Sequence, residues 1–182
     1  MVSRALICVS AALFALSRAS KSLPAKHVDT NDVPFFDFGE GIQLRVFFAD
    51  PYTGLFSMNL KARPGAVLGK HRNTGTVVGH TLQGKWHYKE TDWTASAGHF
   101  TYETPGAEHT IEVLKDNTED TILLLNVWGS LEFVHASSKG TAVLDFISAA
   151  RLQHAACKKL NMECPFLARE HSAKQIQAST EL

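Results

Sequence analysis

The stretch Gly98-His-Phe-Thr-Tyr-Glu-Thr-Pro-Gly-Ala-Glu-His109, with the earlier His71-Arg72-Asn73, decides how this chain is read. On a β-strand, residues two apart project to the same face, so His71 and Asn73 point one way. Thr104-Pro105-Gly106 is a turn by its residues, and a sheet that folds back there can bring His109 across to the first pair. Two imidazoles and an amide oxygen form a neutral three-donor set. Imidazole suits iron, copper, nickel or zinc. With 9 histidines in the chain, the spacing alone also allows His71 and His109 to be ordinary polar residues at loop edges.

Working outward, the chain reads as short strands from Phe35 to about His135. Gln43 to Ala49 is rich in β-branched and aromatic residues. Asp50-Pro-Tyr-Thr-Gly54 and Arg63-Pro-Gly65 are turns, and Leu55 to Lys61 alternates apolar with polar. Further strands are expected over 76–82, 85–91, 99–103, 108–113, 121–128 and 131–135. Short strands punctuated by Gly or Pro indicate an all-β sandwich or barrel. Past Gly140 the period changes. Ala149, Leu152, Ala156 and Leu160 fall at helical spacing, so a helix is expected within 141–161, packed as a cap on the barrel. The domain reading is a barrel over 33–135, a helical segment over 141–166 and a polar tail over 167–182.

The 182 residues fit one domain with tails. The 18 basic and 18 acidic side chains cancel, which leaves no basic footprint for nucleic acid. Residues 1–19 read as a targeting segment: Arg4, an apolar run over 5–16, then Ser17-Arg18-Ala19. That run is short for a bilayer, so no stable membrane span is expected after processing. Secretion is favoured. The alternative is a mitochondrial presequence, given Arg4, Arg18, Lys21 and Lys26 with no acid before Asp29. Cys8 would leave with the leader. Cys157 and Cys164 either form a disulfide in a secreted chain or are two small buried apolar groups.

Both decisive segments resemble the paired metal motifs of the cupin superfamily. Gly98 followed by Pro105-Gly106-X-X-His109 resembles the second motif. His71-X-Asn73 followed by Gly84 resembles the first, with Asn73 where the pattern has a second His and no Glu at Val77 or Val78. Thr74-Gly75, Gly84-Lys-Trp86-X-Tyr88-X-Glu90-X-Asp92-Trp93 and Tyr102-Glu-X-Pro-Gly-X-X-His109-Thr110 look like the 2,4′-dihydroxyacetophenone dioxygenase type of cupin. The resemblance covers roughly 33–166.

It implies an all-β cupin (jelly-roll) β-barrel with a short C-terminal helical segment. It also implies a metal, iron(II) foremost with Zn, Mn, Ni or Cu as alternatives, held by His71, Asn73 and His109. Glu90 would be a fourth ligand or the catalytic base. Trp86, Tyr88 and Glu90 alternate along one expected strand and so share a face; turned inward, that face sets Glu90 at the metal and Trp86 and Tyr88 on a substrate pocket. His80 is expected to point away, and His87 and His99 to lie on the surface. The implied reaction is oxygen-dependent carbon–carbon cleavage of a small aromatic hydroxyketone, with dioxygen as co-substrate. Asn73 holds a second expectation open, because an amide is a weaker donor to iron(II) than imidazole: a degenerate cupin that binds or senses a small molecule without catalysis. A homodimer is the partner expected for such an edge-exposed sandwich.

Overall fold

The computed structural model describes residues 25–135 and 142–168. The expected targeting segment and all but the start of the polar tail lie outside the described residues. In chain order the elements are β1 (Phe36–Gly39), β2 (Ile42–Asp50), β3 (Leu55–Ala62), β4 (Val67–Asn73), β5 (Val77–Gln83), β6 (Lys85–Tyr88) and β7 (Ala95–Ser96). Then follow β8 (Phe100–Glu103), β9 (Glu108–Val113), β10 (Thr121–Trp128), β11 (Ser130–Phe133), β12 (Val143–Asp145), α1 (Phe146–Lys159) and β13 (Leu167–Ala168).

Two antiparallel sheets result. One runs β1-β2-β3-β10-β5-β8, with β13 added parallel to β2; the other runs β12-β11-β4-β9-β6-β7. The chain changes sheet at each step from β4 to β6 and again from β8 to β11. Each sheet therefore buries every second residue against the other: Ile42, Leu44 and Val46 on β2, and Leu123, Leu125 and Val127 on β10. This is the jelly-roll cupin architecture that the sequence predicts. The sheet-changing turns need glycine. Gly84, between β5 and β6, has φ +78°, and a Cβ there would lie 2.2 Å from Thr121 Oγ1. A Cβ on Gly75, between β4 and β5, would meet the Trp128 carbonyl oxygen at 1.9 Å.

One expectation needs correction, and the helix adds a finding. The strand expected over 85–91 stops at Tyr88, where a turn closes with Thr91 N–H donating to Tyr88 O at 3.1 Å. The helix forms where expected, started by a capping box between Asp145 and Ser148, but its buried stripe is Ala149, Ala150, Gln153 and Cys157, and Leu160 is 58% exposed. The rotation follows Gln153. β1 pairs with β2 only as far as Leu44, and β13 begins at Phe48. Val46 falls in the gap, and its N–H donates to Gln153 Oε1 at 2.8 Å, while Gln153 Nε2 donates to Pro34 O at 3.0 Å. An amide that satisfies two backbone groups outranks a leucine that gains a little burial. Cys157 and Cys164 are joined as a disulfide that fastens the end of α1 to the chain beyond it. Replacing Gln153 with Ala strands both backbone groups and should cost about 2–4 kcal/mol. Urea denaturation should show a lower midpoint with an unchanged slope.

Candidate functional site

β4 and β9 are neighbours in the second sheet, with His71 directly opposite His109 and Arg72 opposite Glu108. The two imidazoles meet edge to face with ring centres 4.8 Å apart. Asn73, two residues along β4, shares their face and is 0% exposed; His71 is 2% and His109 6%. The loop before β9 is clamped to this point, as Asn73 N–H donates to Ala107 O and Gly106 N–H to Asn73 O. The sequence expectation that His71, Asn73 and His109 come together is met.

The carboxylate among them is Glu103, not Glu90. Glu103 ends β8 in the opposite sheet and is 7% exposed. Its Oε2 accepts from Asn73 Nδ2 at 2.6 Å, and its Oε1 accepts from the Tyr88 hydroxyl. His109 Nε2 lies 3.1 Å from the same Oε2 but is not aligned with it as a donor, and it has no hydrogen-bond partner. Tyr88 stacks flat on His109, with ring centres 4.1 Å apart. Glu90 is exposed in the turn after β6, where its carboxylate accepts from Thr110 N–H and Thr110 Oγ1 at 2.8 and 3.0 Å. The alternation that would carry it inward with Tyr88 ends with the strand.

Charge in the site follows from burial. Burial holds His71 neutral and lowers its pKa to about 4, further depressed by His109 and partly offset by the contact with Gly69. Burial alone would raise Glu103, yet the adjacent His109 and the Tyr88 and Asn73 donors hold it below the usual carboxylate value. Tyr88 is raised by burial and by the Glu103 charge, so it stays a donor. Slight desolvation raises Glu90, and the two Thr110 bonds outweigh it.

Two atoms are left with free acceptor capacity. His71 Nδ1 lies 2.9 Å from Gly69 O; a carbonyl only accepts, so Nδ1 carries the proton and Nε2 keeps its lone pair. A carboxylate likewise only accepts, so Asn73 presents its NH2 to Glu103 and turns Oδ1 away. Asn73 Oδ1 is buried without a hydrogen-bond partner, whereas His109 Nε2, without an aligned hydrogen bond, faces the Glu103 carboxylate at 3.1 Å. Among the described residues, no three His, Cys, Asp or Glu side chains converge as a metal cage.

Trp86 is 1% exposed and its indole N–H donates to Thr81 Oγ1 at 2.9 Å. It is a core residue, and with Trp93 it backs Tyr88 edge to face. A cavity of about 490 Å³ opens elsewhere, between β1–β2 and β4. Phe38, Ile42, Leu68 and Phe133 wall it, with Glu40, Lys70 and His135 exposed around them. The Phe133 ring lies 5.4 Å from that of His71, so one wall of the cavity is the back of the site. Neither Trp86 nor Tyr88 lines it. His80 is exposed on the outer face of β5, His99 is exposed beside Ser96, and His87 Nε2 lies 3.3 Å from Glu112 on the outer face of β6.

The chain matches the ChrR cupin-like domain family over residues 24–129, and it belongs to that family of cupins. An RmlC-like cupin protein from Ralstonia eutropha JMP134 is 31% identical with a TM-score of 0.73, covering 81% of this chain and 96% of that one. A protein of unknown function with a cupin-like fold, from the same organism, is 28% identical with a TM-score of 0.70, covering 79% and 91%. An acetylacetone dioxygenase from Acinetobacter johnsonii shares the fold at 18% identity and a TM-score of 0.62, covering 74% and 95%. No curated protein matches in sequence.

His71 gives the metal-free protein a pH signature. Its folded pKa of about 4 is below the unfolded value of 6.5, so the unfolded chain binds the extra proton between those values. Stability is full above about pH 6.5 and falls by roughly 3 kcal/mol as pH drops to 4. Melting temperatures measured from pH 7 to 4 should decline, and a His71→Gln variant should decline less.

Proposed function

We propose that this cupin holds one divalent metal through His71, Asn73 and His109 and acts as an oxygenase on a small hydroxyketone. The observation that carries this reading is the buried, unpartnered acceptor Asn73 Oδ1, beside the paired imidazoles of His71 and His109, the first with its tautomer set by Gly69 O. A buried polar atom without a partner costs about 1–3 kcal/mol, and a cation relieves it. Iron(II) is the ion proposed, with Zn, Mn, Ni or Cu as alternatives for a nitrogen and oxygen donor set.

Iron(II), when bound, would supply Lewis-acid polarisation of the two hydroxyketone oxygens and electrons toward dioxygen, which zinc could not. The rest falls to this chain's residues. Glu103 positions: by taking the Asn73 NH2 group it keeps Oδ1 turned away as a donor, which lets an amide stand where an imidazole is usual. Tyr88 and Trp93 close the back of His109 and exclude water there. A carboxylate held below its usual pKa is a weak base, which assigns Glu103 to orientation rather than to proton abstraction.

A second reading, binding without turnover, is favoured by one observation: Glu103 is already committed to Tyr88 and Asn73. Reconstitution with iron(II) followed by metal analysis, paired with oxygen uptake on 2,4′-dihydroxyacetophenone, separates the two. The oxygenase reading expects about one iron per chain and oxygen-dependent cleavage. Protein that takes up no metal under any loading sinks it. Glu103→Gln should weaken metal binding about 10–100-fold by freeing the Asn73 amide to turn, and Asn73→His should tighten it.

A further inference from the structure

Glu90 stands outside the buried site, but its carboxylate is fastened to the residue that follows His109. At Thr110 β9 has the least support from its neighbours. On one side the register of β4 slips between Leu68, opposite Ile111, and His71, opposite His109. On the other side β6 ends at Tyr88, opposite Ile111. In a hydrogen-bonded antiparallel pair the two residues exchange both backbone bonds. Lys89 and Thr110 make only half of such a pair. Lys89 N–H donates to Thr110 O at 3.0 Å, whereas Thr110 N–H donates to Glu90 Oε2 at 2.8 Å and Thr110 Oγ1 to Glu90 Oε1 at 3.0 Å. The turn that carries Glu90 is in turn closed on Tyr88 O, by Thr91 N–H at 3.1 Å and Thr91 Oγ1 at 3.2 Å. One carboxylate thus ties together the ends of the two strands whose rings, Tyr88 and His109, stack flat with centres 4.1 Å apart.

We propose that Glu90 is a positioning residue: through Thr110 it holds His109 against Tyr88, in the orientation that imidazole keeps beside His71 and Glu103. Hydrogen bonds to an ionised acceptor are stronger than neutral ones, and two of them on one residue fix its backbone and side chain together. Thr110 is the immediate neighbour of His109, so a shift of its backbone turns the imidazole. A contact that merely closed a surface turn would stabilise the fold a little and leave the ring geometry alone. A gain in metal affinity from this fastening rests on the metal reading above; the fastening itself does not.

NMR of the metal-free full chain tests it, because a ring stacked flat on another shifts its neighbour's ring protons upfield. Glu90→Ala should move the His109 ring resonances back toward free-imidazole values and speed exchange of the Thr110 amide at least about 10-fold. Glu90→Gln, whose amide oxygen still accepts from Thr110 N–H, should restore both. Thr110→Val removes only the Oγ1 bond and should give a smaller shift of the same sign, which keeps the test alive if Glu90→Ala fails to fold. Titrated with cobalt(II), Glu90→Ala should bind about 10–100-fold more weakly than the parent. His109 resonances that stay put in Glu90→Ala overturn the proposal, whatever happens to the melting temperature. A Glu90→Gln variant that behaves like Glu90→Ala also overturns it, by making the charge rather than the bonds the cause. If the parent binds no cobalt(II), the metal reading fails, and the His109 resonances still decide the role of Glu90.

Discussion

The Glu103 carboxylate ties the two sheets together at the point where function is expected. It stands on β8 of one sheet and takes its hydrogen bonds from Tyr88 on β6 and Asn73 on β4, both of the other sheet. A buried carboxylate survives only where donors repay its desolvation. The position of one side chain thus fixes three others: Tyr88 against His109, Asn73 with its oxygen free, and His109 across from His71. Little in the site can move without leaving a buried charge unpaired.

That arrangement fixes which end of the Asn73 amide is left free. An unrestrained amide presents either its oxygen or its nitrogen to a cation, and the wrong end repels. Here the neighbouring carboxylate accepts only from the nitrogen, so the oxygen is the end left free. The selection draws on Glu103's own hydrogen-bonding capacity, which is why this carboxylate orients its neighbours better than it could remove a proton. The aromatic wall of Tyr88, Trp86 and Trp93 keeps the site dry and so keeps these electrostatic preferences strong.

Much of this was legible from residues alone. The His71-X-Asn73 pair and His109 belong to one face because strands have period two, and glycines at 84 and 98 mark turns that no other residue takes easily. Glu103 lay in plain view between Tyr102 and Pro105, and the signal that could have found it was alternation: if the large aromatics Phe100 and Tyr102 face outward, Thr101 and Glu103 face in. Chemical expectation argues the reverse, that aromatics bury and carboxylates do not, and it prefers Glu90 beside Trp86 and Tyr88. That preference fails because a turn after Tyr88 ends the strand two residues too soon. The helix shows the same limit. Its period is visible, but the choice of buried stripe belongs to Gln153, whose partners are Val46 and Pro34 far away in the chain.

The sequence by itself determined the sheet-rich fold, its turns, the helix after Gly140 and the pairing of His71, Asn73 and His109. These depend on local periodicity, on backbone freedom at glycine and on spacing between motifs. Only the tertiary structure decided which carboxylate joins the site, which end of Asn73 is free and which face of α1 is buried. Each of these is set by what a distant strand places opposite a side chain, and a buried polar group takes the orientation that satisfies it there.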